Sequence, residues 1–167
     1  KIDEKLSQWA SWGIRGIKVD FMMNDSQTRM NTYQMIASKA MSLELLVNFH
    51  GSTKPSGESR TYPNIITSEA IRGAEHYKWS EYPTAYHNCT VPFTRNVIGG
   101  MDYTPVVIST NNLNTTQAHQ LALSVAFESP MQHFADSIDS YDSWIGLTYL
   151  NSIPCKWDET VLENGDQ

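Results

Sequence analysis

Gly16-Ile17-Lys18-Val19-Asp20-Phe21-Met22 is a short, mostly apolar run that reads as a buried strand. Outward from it the chain alternates helix and strand. Upstream, Ile2 to Trp12 sets Ile2, Leu6, Trp9 and Ala10 on one helical face, and Gly13 stops the pattern. Downstream, Thr28 to Ser42 predicts a second helix that offers Met30, Tyr33, Met35, Ile36 and Ala40 to a core. Leu45-Leu46-Val47-Asn48-Phe49-His50 is a second apolar strand ended by Gly51, and Ile65-Ile66-Thr67-Ser68-Glu69 a third, after a polar loop from Ser52 to Pro63. Weaker patterns predict a fourth strand within Val97 to Val107 and a fifth at Met131 to Ala135. Helices are expected over Thr115 to Ser129, capped by Asn114 or Thr115, and over Tyr141 to Asn151.

Strands alternating with helices imply βαβ units and a parallel sheet. Four or five such units fit either a doubly wound sheet or part of a barrel, and periodicity does not separate the two. In parallel α/β folds functional side chains gather at the carboxyl ends of the strands. Here those ends carry Asp20, His50, Glu69, Asp102 and Asp136. A carboxylate ending an apolar strand loses hydration unless it is paired, bound to a metal or facing a cleft. The recurrence at successive strands points to one shared cleft, although structural ion pairs explain many such carboxylates singly.

Composition narrows the chemistry. The chain has 167 residues, enough for one domain, and a net charge of −6 with its lysines and arginines dispersed. That excludes the basic patch demanded by nucleic acid or an anionic membrane. No run of about 18 apolar residues spans a bilayer. The chain starts at Lys1 without Met and enters a helical pattern at once, as expected of a fragment of a longer protein. Cys89 and Cys155 belong to no metal-binding pattern and are expected to be buried free thiols, with a disulfide left open. No histidine pair at ligand spacing, no GxGxxG, no GxxxxGK[ST] and no GxSxG occurs, so catalytic zinc, nucleotides and a nucleophilic serine lack support. Carboxylates beside His50, Lys18 and the aromatics Trp79, Tyr82 and Tyr86 suit glycoside cleavage, in which two carboxyl groups flank the bond. The plainer reading of each aromatic is that it fills a shell around the sheet.

The motifs carry a more specific likeness. Gly16 to Met22, Asn48-Phe49-His50-Gly51-Ser52-Thr53-Lys54-Pro55-Ser56-Gly57, Arg60 to Asn64 and Ser68-Glu69-Ala70-Ile71-Arg72-Gly73-Ala74-Glu75 resemble glycoside hydrolase family 97. Gly100-Met101-Asp102-Tyr103-Thr104-Pro105, Glu128-Ser129-Pro130 and Trp157 to Thr160 continue it over nearly the whole chain. The resemblance implies a bacterial α-glucosidase or α-galactosidase, periplasmic or secreted, with an N-terminal β-sandwich, a central (β/α)8 barrel and a C-terminal β domain. On that comparison residues 1–152 are the C-terminal half of the barrel, about strands 4 to 8, and 153–167 open the C-terminal domain.

The resemblance also assigns roles. Inverting members place a Glu directly after the histidine of the fifth strand, where this chain has Gly51; retaining members carry a nucleophilic Asp where Asp20 stands. Glu75 matches the general acid/base, and Glu69 a calcium ligand, with Glu75 also near the metal. Calcium takes six to eight oxygen ligands, so these two leave the set incomplete. Lys18, His50, Lys54 and Asp102 match donors and acceptors for sugar hydroxyls. The expected activity is retaining hydrolysis of a terminal α-galactoside. The alternatives are an inverting α-glucosidase of the same family and a sugar-binding barrel fragment inactive alone.

Overall fold

A computed structural model describes residues 2–79 and 82–163 of the chain. They divide into two compact units, Lys1–Ala70 and Ile71–Gln167. The fold is mixed α/β, and no helix among the described residues is long and apolar enough to cross a membrane.

The first unit runs α1 (Ile2–Ser11), β1 (Gly16–Val19), α2 (Gln27–Ser42), β2 (Leu46–Phe49), α3 (Glu58–Thr61) and β3 (Ile65–Ser68). The strands form one sheet in the order β1-β2-β3, and both pairings are parallel. Between β1 and β2 the chain returns through α2, as a parallel pair requires. Ser26 caps α2, its Oγ accepting from the Arg29 N–H at 3.4 Å. Tyr33, Ile36 and Ala40 of α2 pack with Leu6, Ile17, Leu45, Val47 and Phe49 into the first core. Tyr33 meets Phe49 edge-on, ring centroids 4.6 Å apart. Asn64 pins the helix to the sheet by donating to Ala37 O at 3.0 Å and Leu45 O at 3.2 Å. Ile2 and Met35, expected inside, are exposed at the edges of their helix faces.

The second unit holds a 3-10 helix (Ala74–Lys78), α4 (Ala85–Thr90), two further 3-10 turns, α5 (Gln117–Ala126), α6 (Ile138–Asp142) and α7 (Gly146–Leu150). Its core is Ala74, Tyr77, Val91, Met101, Tyr103, Val107, Leu123 and Phe127. Thr116 caps α5, one residue beyond the expected pair, its Oγ1 accepting from His119 N–H at 3.1 Å.

The fourth and fifth strands expected from the sequence are not regular strands; between Val97 and Val107 only Met101 makes an isolated bridge. Backbone geometry explains this. Thr104 and Val106 adopt φ of +51° and +68° on either side of Pro105, which breaks a pleat. Side chains take backbone donors within the expected strands: Asp102 accepts from Thr104 and His133, and Gln120 Oε1 from Val107, while Asp136 holds the flanking Ile108 and Ser109. The helix expected over Tyr141 to Asn151 is split into α6 and α7. Cys89 and Cys155 are free, and both are exposed where burial was expected. Of the segment 153–167 expected to open a C-terminal β domain, residues 153–163 carry no helix or strand, and 164–167 lie outside the described residues.

Candidate active site

In the first unit, register sets the site. Val19 pairs with Phe49, and Phe49 with Ser68, so the next residue of each strand emerges at one level. Those residues are Asp20, His50 and Glu69. Asp20 is exposed, and its Oδ1 accepts from the Phe21 N–H at 2.6 Å. His50 is fully buried behind the rim. Glu69 is nearly buried, its Oε2 accepting from the Gly51 N–H at 2.7 Å and lying 3.6 Å from His50 Nδ1. Glu69 therefore ties the end of β3 to the turn after β2.

Gly51 sits at φ +51°, and a Cβ there would stand 3.3 Å from Phe21 Cα and 3.4 Å from Asp20 Oδ1. The turn thus packs its backbone directly against Asp20, where a carboxylate side chain would crowd it and repel its charge. The residues after Asp20 are strained to allow this. Phe21 and Met23 hold φ of +59° and +66°, fixed by Met22 N–H donating to His50 O at 3.3 Å and Met23 N–H to Gly51 O at 2.6 Å. Each such position costs about 1–3 kcal/mol. Buried Met22 between them anchors the turn in the core.

Lys18, two residues before Asp20, lines with it an open cavity of about 600 Å³ between β1 and α1. Its wall is mostly apolar, with Leu6, Trp9, Ile17 and Ile36 among the lining residues, the chemistry of a packing surface more than of a hydroxyl-binding pocket. Lys54 is exposed on the loop between Gly51 and α3.

The second unit carries Glu75, Asp102 and Asp136. Glu75 lies half-buried on the Ala74–Lys78 helix, 4.0 Å from Lys78 Nζ, and Ala74 N–H anchors that helix by donating to Tyr103 O at 2.9 Å. Asp102 is fully buried. Its Oδ2 lies 2.6 Å from His133 Nδ1, and its Oδ1 accepts from the His133 N–H at 3.0 Å. The imidazole, partly exposed, is therefore held by a carboxylate beneath it. Sequence reading missed His133 as the partner of Asp102, because no short motif links residues that only the fold brings together.

Asp136 has a structural task. Its Oδ2 accepts from Ile108 N–H at 2.7 Å and Ser109 N–H at 2.8 Å, and its Oδ1 from Ser109 Oγ at 2.6 Å and Ser137 N–H at 2.8 Å. Tyr141 completes the clamp, its hydroxyl accepting from Asp136 N–H and donating to Val106 O. Burial pushes the Asp136 carboxyl up, but the Ser109 hydroxyl and the three backbone donors outweigh it and hold it at about 2, below the usual 3.8.

Parallel strands that bring two carboxylates and an imidazole to one rim are characteristic of the α/β folds in which functional sites gather at the strand ends. The model of glycoside hydrolase family 97 matches residues 1–71, the whole first unit. A Streptomyces bingchenggensis protein described as a "Probable retaining alpha-galactosidase" is 40% identical, over 97% of this chain and 26% of its own length. The retaining alpha-galactosidase of Bacteroides thetaiotaomicron is 33% identical over 94% of this chain and 26% of its own. Among solved structures, a family 97 enzyme from Pseudoalteromonas in complex with acarbose superposes with a TM-score of 0.88 at 25% identity, over 99% of this chain and 29% of that one. A beta-arabinopyranosidase crystal structure gives 0.79 at 32% identity, over 94% of this chain and 27% of that one. The chain belongs to glycoside hydrolase family 97. It spans about a quarter of the length of the curated relatives it matches.

The Asp136 clamp makes a pH-dependent prediction for the full-length protein. A carboxyl held below its unfolded value contributes fully above about pH 4, and that contribution is lost as pH falls through about 2. Asp136→Asn is expected to cost about 1.5–3 kcal/mol of unfolding free energy near neutral pH, because two N–H donors then face an amide. Urea unfolding of both proteins should show this gap narrowing between pH 4 and 2; a gap independent of pH would refute the clamp.

Proposed function

We propose that the protein hydrolyses terminal α-galactosides with retention of configuration, Asp20 acting as nucleophile and Glu75 as general acid/base. The supporting observation is the pairing of Asp20 with Gly51: a Cβ at Gly51 would stand 3.4 Å from Asp20 Oδ1, and the glycine there offers no carboxylate that could activate a water. The retaining names of both curated relatives agree with this reading. In the fold proposed for it, β1 to β3 are consecutive strands of a (β/α)8 barrel, with the rest of the barrel and an N-terminal β-sandwich supplied by the remainder of the protein.

The steps follow from the chemistry of the two carboxyl groups. Ionised Asp20 attacks the anomeric carbon as the bond to the leaving oxygen breaks, and Glu75 gives that oxygen its proton. Glu75, now ionised, takes a proton from water, whose oxygen attacks the same carbon and displaces Asp20. Two inversions give net retention. Lys54 and, through His133, Asp102 are assigned to substrate recognition; His50, fully buried beside Glu69, would support the rim from beneath, and Lys18 would contribute from its place two residues before Asp20.

Calcium is the proposed cofactor: Glu69 and Glu75 would each offer it oxygen donors, which it takes almost exclusively, as part of its usual six to eight ligands. When bound it would supply positive charge beside the leaving group. Glu69 is already oriented for a rim position by the Gly51 N–H. The likeness to a beta-arabinopyranosidase favours a second substrate, because β-L-arabinopyranosides share the ring configuration of α-D-galactosides and lack only the hydroxymethyl group at C5.

Three measurements on the full-length protein test this reading. Followed by NMR, hydrolysis of an aryl α-galactoside should release the α anomer first, whereas initial β-sugar would exclude Asp20 as nucleophile. Asp20→Ala should lower turnover by about 10³-fold or more, with azide restoring part of it as the β-galactosyl azide. Chelation should lower activity and the thermal midpoint together, and added calcium should restore both; a chelated enzyme that retains both rules the metal out.

A further inference from the structure

The Ala74–Lys78 helix has three residues per turn, so side chains three apart stand in columns. Ala74 and Tyr77 form the column that enters the core of the second unit. Glu75 and Lys78 form the next, carboxylate to ammonium at 4.0 Å. His76 and Trp79 form the third, their rings edge-to-face with centroids 5.0 Å apart. The indole ends this column 58% exposed, although Tyr77, two residues earlier, takes the core position. Its backbone is fixed: Trp79 N–H donates to His76 O at 3.0 Å, and Asn112 Nδ2 to Tyr77 O at 2.9 Å. Tyr82 stacks on Tyr77 at 6.1 Å with an interplanar angle of 20°, extending the aromatic surface.

We propose that Trp79 is the stacking surface for the sugar ring of the leaving group. The inference rests on Glu75 being the acid/base. The group that protonates the glycosidic oxygen must lie beside the leaving group, and Trp79 follows Glu75 by four residues, roughly 8 Å along a 3-10 helix. That is the reach of a single pyranose ring. The C–H faces of such a ring pack on an indole, which combines a large apolar area with a negative π face. A side chain serving the core of this unit would be buried, as Tyr77 is; this one packs edge-on to His76 and stays exposed beside the proposed acid.

The test compares two substrates on the full-length enzyme: an α-galactosyl disaccharide, whose leaving group is a sugar, and α-galactosyl fluoride, whose leaving group has no ring. Trp79→Ala should shift the ratio of kcat/KM between them at least tenfold against the disaccharide, mainly through KM. Trp79→Phe should recover most of the ratio, and thermal midpoints should confirm that both variants fold. Equal losses on the two substrates would make Trp79 structural, and an unchanged ratio would remove it from the site; either overturns the inference while the glycosidase reading stands. A wild-type enzyme that cleaves neither substrate overturns both.

Discussion

Parallel pairing with a matched register is the constraint from which the first unit follows. Because Val19, Phe49 and Ser68 lie abreast, the chain leaves all three strands at one height, and Asp20, His50 and Glu69 emerge together. A one-residue slip of β2 would turn Phe49 out of the core and break its contact with Tyr33. The apolar packing that fixes the register therefore also fixes the chemistry at the rim. Gly51 adds the second condition, a turn at positive φ whose backbone N–H meets Glu69 and whose missing side chain lets it lie against Asp20.

The carboxylates at or near strand ends do different work, and their partners tell them apart. Asp136 is surrounded by four donors and joins two irregular segments that have no ladder of their own. Asp102 is buried beneath His133 and orients it. Asp20 is exposed, next to a strained turn that presents Phe21 and Met23 to solvent. Strain and exposure beside a carboxylate oppose stability, and they cluster where a binding or catalytic role repays them. Saturated hydrogen bonding, as at Asp136, is the mark of a structural carboxylate.

The first unit was legible in the sequence because its strands are local: apolar runs of five to seven residues, each bounded by glycine or a polar loop, reproduce β1, β2 and β3 within one to three residues. The second unit was not. Val97 to Val107 has the apolar content of a strand, yet its backbone is held by Glu128, Ala74 and Ala135, and its Asp102 by His133, through contacts reaching about thirty residues along the chain that no window detects. His133 escaped notice for the same reason. Asp20 and Glu75 stand out in the sequence only as members of a family pattern, since a carboxylate after an apolar run also describes Asp136, whose task is structural.

Covalent catalysis by Asp20 is the central claim, and trapping the intermediate tests it most directly. The full-length enzyme would be treated with a fluorinated galactosyl fluoride that forms the glycosyl-enzyme quickly and hydrolyses slowly, then digested and examined by mass spectrometry. One added sugar is expected on the peptide containing Asp20, absent in Asp20→Asn and released over time in water. Steady hydrolysis without a labelled peptide, or a label on another carboxylate, would contradict it.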